Sequence, residues 1–214
     1  RVVIVDVSSS SAYEAGHIPG AVNWTSAGTN RYEGPSLGFN MVLPAETFET
    51  LVQDAGIDEN TTIVITSAAT SSFAPSRVYF HFRYYGFPKE RIKVLNGYNA
   101  ASWPKDQLTT VAPVITASDL TLAELNSGTQ TQTRVSLAEL MDAARDERGM
   151  AIDFRGDKLA TKSTTGVFSG TVQGAPSEDP YSSGDHVVFE GYIRGSKFYP
   201  FGNFFNPENT FKSY

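Results

Sequence analysis

Short β-branched apolar runs alternate with stretches of helical spacing along this chain. Val2-Val3-Ile4-Val5-Asp6-Val7 is almost wholly apolar, the texture of a strand buried on both faces of a parallel sheet. Thr62-Ile63-Val64-Ile65-Thr66, Ile92-Lys93-Val94-Leu95 and Met150-Ala151-Ile152-Asp153-Phe154 repeat that texture. Between them, Phe48, Leu51, Val52 and Ala55 fall at helical spacing behind Pro44, and Gly56 supplies a left-handed stop. Ala74 to Tyr85 reads as a second helix, crowded with aromatics and ended by Gly86. A third begins at Ser136, where Glu139 completes a Ser-x-x-Glu capping box. Strands alternating with helices predict an α/β protein, each domain a mostly parallel central sheet with helices on both faces.

The pattern loosens between about Pro104 and Thr133 into Thr, Ser, Gln, Asn and Gly, the composition of an interdomain linker. Residues 1–112 are accordingly expected to form one domain, 113–135 a linker, and 136–214 the first half of a second domain. The chain then restarts. Ala151-Ile152-Asp153-Phe154 echoes Ile4-Val5-Asp6-Val7, and Gly191-Tyr192-Ile193-Arg194-Gly195 echoes Gly16-His17-Ile18-Pro19-Gly20. A Gly-, Ser-, Thr- and Pro-rich insertion separates these landmarks in the second copy. Nothing after Tyr214 corresponds to the helix and strands after Asn23 in the first copy, so a half sheet is expected that a further segment or a protein partner completes.

Composition narrows the chemistry. The 214 residues hold 17 Lys+Arg against 23 Asp+Glu, a net charge of −6, which disfavours nucleic acid as a partner. No apolar run is long enough for a membrane span. There is no cysteine, so disulfides, thiolate metal sites and cysteine nucleophiles are excluded within these residues. His17, His81 and His186 lie far apart without metal-ligand spacing, so neither a metal nor any other cofactor is expected. Abundant Ser and Thr with sparse Lys lean toward a periplasmic or extracellular address.

Val5-Asp6-Val7 followed by Tyr13-Glu14-Ala15-Gly16-His17-Ile18-Pro19-Gly20-Ala21-Val22-Asn23 resembles the amino-terminal signature of the rhodanese family. Arg77 with Tyr84-Tyr85-Gly86-Phe87, Val94-Leu95-Asn96-Gly97 and Trp103 extend the resemblance. In the second copy, Gly166-Val167-Phe168-Ser169-Gly170, Gly191-Tyr192-Ile193-Arg194-Gly195-Ser196 and Asn209-Thr210-Phe211-Lys212-Ser213 resemble tandem thiosulfate and 3-mercaptopyruvate sulfurtransferases. The resemblance implies movement of sulfane sulfur from a small sulfur-containing anion to a thiol acceptor. It also implies a nucleophilic cysteine in the loop after the fourth strand, where backbone N–H groups and a helix dipole favour the thiolate.

Here that loop reads Ser67-Ala68-Ala69-Thr70-Ser71-Ser72-Phe73, with Ser67 at the nucleophile position, or Ala68 if the loop is one residue longer than usual. A serine hydroxyl does not carry a persulfide, so the first copy is expected to be inert. The loop retains an anion-cradle reading through Ser67, Thr70, Ser71 and Ser72, against the simpler expectation that the hydroxyls cap a helix. In the second copy Asp153-Phe154-Arg155 keeps an Asp-x-Arg start typical of catalytic copies, whereas Asp6-Val7-Ser8 lacks the arginine. Asp153, Arg155 and Arg194 are therefore the substrate-binding candidates, with the nucleophile expected beyond Tyr214. Val167 stands where the family's Gly-Arg-Phe arginine would hold an anionic donor, and Ser177-Glu178-Asp179 replaces the usual Glu-Pro-Arg. The alternative is an inactive rhodanese-like binding or assembly module. The aromatic stretch from Phe198 to Phe205 is expected to be buried, as clustered aromatics ordinarily are.

Overall fold

The computed structural model describes residues 1–25, 42–68, 73–99, 103–125, 133–146, 149–154, 161–162, 168–169, 197–207 and 210–213. Contacts divide the chain into two units, Arg1–Arg134 with Pro207–Phe211, and Val135–Asn206 with Lys212–Tyr214.

The first unit is built on four parallel strands. These are β1 (Val2–Asp6), β2 (Ala21–Asn23), β3 (Thr62–Ser67) and β4 (Ile92–Asn99), in the spatial order β2-β1-β3-β4. Both central strands are the β-branched apolar runs, as burial on two faces requires. Helix α1 (Ser10–Ala15) carries β1 to β2, α2 (Ala45–Asp54) precedes β3, and α3 (Phe73–Tyr84) carries β3 to β4. Phe48 and Val52 on α2 and Val78 and Phe82 on α3 are buried with Val5, Ile63 and Ile65 in one core. The aromatic rings within that core pack closely: Phe48 stacks on Tyr85 at 5.0 Å and meets Phe82 edge-on at 5.2 Å, while Trp24 stacks on Phe82 at 5.5 Å. The helix stops follow from backbone sterics, since Gly56 and Gly86 sit at φ +64° and +94°, where an L side chain is strained.

The segment expected as a linker does not hang free. Leu120 and Leu122 join the core of the first unit, Ser118 Oγ donates to the Ile57 carbonyl at 2.6 Å, and the Leu122 N–H donates to Glu49 Oε2 at 2.7 Å. A short helix α4 (Leu122–Leu125) follows. Its apolar islands, too sparse to register as an element, are anchors onto α2.

In the second unit, α5 (Leu137–Arg145) starts at the expected capping box: Ser136 Oγ accepts from the Glu139 N–H at 3.2 Å and Glu139 Oε2 accepts from the Ser136 N–H at 2.7 Å. Strands β5 (Ile152–Asp153), β6 (Thr161–Lys162), β7 (Phe168–Ser169) and β8 (Lys197–Phe198) form two pairs, β5 with β8 in parallel and β6 with β7 antiparallel. The expectation of a buried aromatic stretch is corrected here. Phe154, Tyr199 and Phe204 gather ring to ring at 5.1–6.5 Å, yet Tyr199 and Phe201 remain 40% and 37% exposed. Among the described residues the sheets of the second unit are two strands each, too little surface to cover the rings.

Candidate functional site

The strand order places a topological switch point between β1 and β3. From adjacent strands the chain leaves in opposite directions, β1 through α1 to β2 on one side and β3 through α3 to β4 on the other. Ligands of open α/β sheets bind outside the carboxyl ends of strands at such a point. A cleft of about 420 Å³ lies there, lined by Ala12, Ala15 and Gly16 of the α1 side, Ala68 after β3, and Lys105, Leu108, Thr109 and Thr110. Among the described residues of this lining Lys105 is the one charged side chain, against apolar walls from Ala12, Ala15 and Leu108.

Below the cleft, the ends of β1 and β3 are tied together. Asp6 is fully buried, and its Oδ1 accepts from the Ser8 N–H at 2.9 Å and from the Ser8 hydroxyl. Ser8 Oγ in turn accepts from the Ala68 N–H at 2.6 Å. A short polar side chain two residues after an aspartate closes a local turn readily, which explains why Ser8 serves here. Asp6 Oδ2 is buried without a hydrogen-bond partner. Its charge, after burial itself, helps push the Tyr13 phenol above its ordinary range.

Tyr13 and His17 pin the turn that frames the α1 side. Tyr13 donates its hydroxyl to the Ala21 carbonyl at 2.6 Å, and its ring stacks on His17 at 3.7 Å. The two ring nitrogens of His17 face the carbonyls of Tyr13 at 2.8 Å and Val111 at 3.2 Å, while its backbone forms an antiparallel bridge with Thr109. His17 is fully buried and thus holds the 109–111 wall of the cleft in place, a structural rather than a chemical task.

The two positions left open for the missing nucleophile are distinguished by burial. Ser67 is 0% exposed, is paired in the sheet opposite Asn99, and does not line the cleft. Ala68, the first residue past the strand, is half-buried and does line it. Thr70, Ser71, Ser72, Arg155 and Arg194 fall outside the described residues, and Asp153 is described by its backbone alone, at the carboxyl end of β5. Ser8 and the wall of Lys105, Leu108, Thr109 and Thr110 were missed by sequence reasoning. Asp6-x-Ser8 was a readable turn signal, whereas the wall comes from the segment whose composition reads as a linker. Among the described residues no helix is long and apolar enough to cross a membrane, and no group of three or more metal-ligating side chains occurs.

A parallel α/β sheet with a small cleft at its switch point, beside the loop that follows β3, defines the class. Residues 1–101 match the family model of the rhodanese-like domain. That stretch, just under half of the chain, is thus similar to a rhodanese-like domain. The chain is 35% identical over 99 residues to a Haloferax volcanii protein described as a candidate thiosulfate sulfurtransferase, a match covering 45% of this chain and 31% of that one. The matched stretch thus spans under a third of that relative's length. The 3-mercaptopyruvate sulfotransferase SseA of Escherichia coli superposes with a TM-score of 0.67 at 19% identity, over 99% of this chain and 73% of that one. An anaerobic ergothioneine biosynthesis enzyme of Chlorobium limicola, solved with trimethyl histidine, gives a TM-score of 0.66 at 18% identity, over 99% and 49% of the two chains. At such identities the two structures establish the fold alone.

Proposed function

We propose that residues 1–112 are a cysteine-free rhodanese-like domain that supports sulfane sulfur transfer rather than performing it. In this reading, transfer from thiosulfate or 3-mercaptopyruvate to a thiol in the whole protein uses a cysteine outside these 214 residues. The observation that carries it is the alanine at position 68, the residue past β3 that lines the cleft, in a chain with no cysteine. A methyl group can neither attack a sulfur donor nor hold a persulfide. Ser67 does not replace it, being buried in the sheet with a hydroxyl that is scarcely ionised near neutral pH.

The register of the second unit supports a tandem arrangement. Val5 pairs with Val22 and Asp6 with Asn23 in β1–β2, and Ile152 pairs with Lys197 and Asp153 with Phe198 in β5–β8. The sequence echo aligns Ile152 with Val5, Asp153 with Asp6 and Gly195 with Gly20, so both parallel pairs run in the same register. Asp153 then stands at the strand end that Asp6 occupies in the first copy, and Asp153, Arg155 and Arg194 remain the substrate-binding candidates of the second. The anion-cradle reading of Ser67, Thr70, Ser71 and Ser72 is narrowed, since the Ala68 N–H is already engaged by Ser8. A cleft kept without a nucleophile favours the second reading, a binding module, for the first domain by itself.

The test is turnover. The 214-residue chain incubated with thiosulfate and cyanide, or with 3-mercaptopyruvate and a thiol, is expected to release no thiocyanate or pyruvate above the protein-free rate. Measurable turnover would overturn the reading, because it requires a sulfur carrier the chain lacks.

A further inference from the structure

His81 lies on α3, 1% exposed, with a donor–acceptor pattern that fixes its state. Nδ1 is 2.9 Å from the Arg77 carbonyl oxygen, which can only accept, so Nδ1 carries a proton. Nε2 is 3.2 Å from the Leu43 backbone N–H, which can only donate, so Nε2 is bare. The ring is therefore neutral. One turn further on, the Tyr85 hydroxyl donates to the Leu43 carbonyl. Two side chains four residues apart, His81 in the last turn of α3 and Tyr85 just past its end, thus clasp both backbone polar groups of Leu43, one residue before the Pro44 cap of α2. Leu43 and Val42 are themselves buried in the aromatic core, so a detached segment would uncover apolar surface beside Phe48.

We propose that His81 is the acid-sensitive catch of a latch that holds residues 42–44 onto α3, released when the imidazole takes up a second proton. Protonation would set an N–H on Nε2 against the Leu43 N–H, replacing a hydrogen bond by two opposed donors. The new cation would be poorly placed. Among the described residues, the charged group acting on it is Arg77, one turn earlier, whose Nε and Nη2 are buried without partners. Among the described residues, the other groups against the ring are the Phe48 ring of α2 at 5.7 Å and the Leu43 backbone, neither of them an anion. Burial first, with the Arg77 charge in the same direction, holds the closed-state pKa of His81 below its ordinary value. Because the open form binds the proton better, the latch is at full strength above about pH 6.5 and weakens as pH falls below it.

The test is NMR-detected amide exchange at Leu43 and, as reference, at Val5 in the centre of the sheet, from pH 7.5 to 5. After correction for intrinsic rates, the Leu43 opening constant is expected to be flat above pH 7 and to rise toward about tenfold per pH unit below 6.5. Val5 is expected to stay protected. In His81→Gln the pH dependence should vanish. Should that variant fail to fold, Tyr85→Phe decides: it keeps the imidazole but loses the second clasp, so opening should rise at every pH with the slope retained. A flat wild-type profile, an equal slope in His81→Gln, a lost slope in Tyr85→Phe, or Val5 opening in parallel with Leu43 would each overturn the latch.

Discussion

Placing a single thiol at position 67 or 68 separates the two candidates for the lost nucleophile by burial alone. The chain has no cysteine, so each variant, Ser67→Cys and Ala68→Cys, carries one reporter against a silent background. Ser67 is 0% exposed and paired within the sheet, so a thiol there reacts with an aromatic disulfide reagent only after the strand end opens. Core strands open at free energies approaching the global value, of order 5–15 kcal/mol, with strand ends below that. Taking about 4 kcal/mol for this end, at 1.4 kcal/mol per factor of ten, slows the reaction by about 10³ relative to a freely exposed thiol. Ala68 is half-buried on the cleft wall, so its thiol needs no opening and should react within about tenfold of a model thiol. The same contrast should hold for sulfur loading, with Ala68→Cys retaining cyanolysable sulfur after thiosulfate and Ser67→Cys retaining none. Stopped-flow labelling of both variants decides it. Equal rates within a factor of three, or a faster thiol at 67, would refute the assignment of Ala68 as the cleft-facing position.

Other perturbations test the frame around that site. Gly20 and Gly86 share a left-handed backbone, but a Cβ on Gly20 meets nothing within 4 Å, whereas one on Gly86 would lie 2.3 Å from the Leu125 carbonyl oxygen. Gly20→Ala should therefore cost the backbone strain alone, about 1–2 kcal/mol, and Gly86→Ala about 3–5 kcal/mol, read as urea midpoints. Ser8→Ala leaves the Ala68 N–H and Asp6 Oδ1 short of a partner and should cost about 1–3 kcal/mol, with faster exchange of the Ala68 amide. Glu139 is fully exposed, and its hydrogen bonds from Ser136 hold its carboxyl below the ordinary range. Its contribution to α5 is present above the unfolded-state pKa and lost as pH falls through the folded one, so helicity lost in acid should be smaller in Ser136→Ala.

Much of the first domain was legible because its signals are local. The β-branched runs, the Pro44 start, the glycine stops and the Ser136 capping box each act within a few residues, and each element formed where its pattern put it. Features that depended on tertiary pairing were not legible. Ile65, Thr66 and Ser67 are all fully buried, so the alternation that would tell Ser67 from Ala68 fails at the strand end. A register irregularity between β3 and β4 falls at the same place, where Ile65 pairs with Val94 but Ser67 with Asn99. The anchors within the polar stretch from 113 onward were not legible for a related reason: Leu120 and Leu122 bury where Gln53 and Glu49 of α2 hydrogen-bond their backbone.

Under the proposed tandem reading, the two parallel pairs can be compared position by position. In both, the backbone pairing that sets an aspartate at a strand end is retained, while the residue two positions later differs, Ser8 in one and Arg155 in the other. Sheet register is constrained by every side chain on the strand, since a one-residue slip exchanges the two faces. A residue just past the strand end escapes that constraint. At position 8 stands a serine whose hydroxyl ties the Asp6 carboxylate to the Ala68 amide, a bridge that needs no ligand. An arginine at the equivalent place would set a cation beside the cleft and demand an anion in exchange. On the proposed reading, a first domain without a thiol holds no persulfide for an arginine to meet, and the serine at position 8 bridges Asp6 Oδ1 to the Ala68 N–H from within the chain.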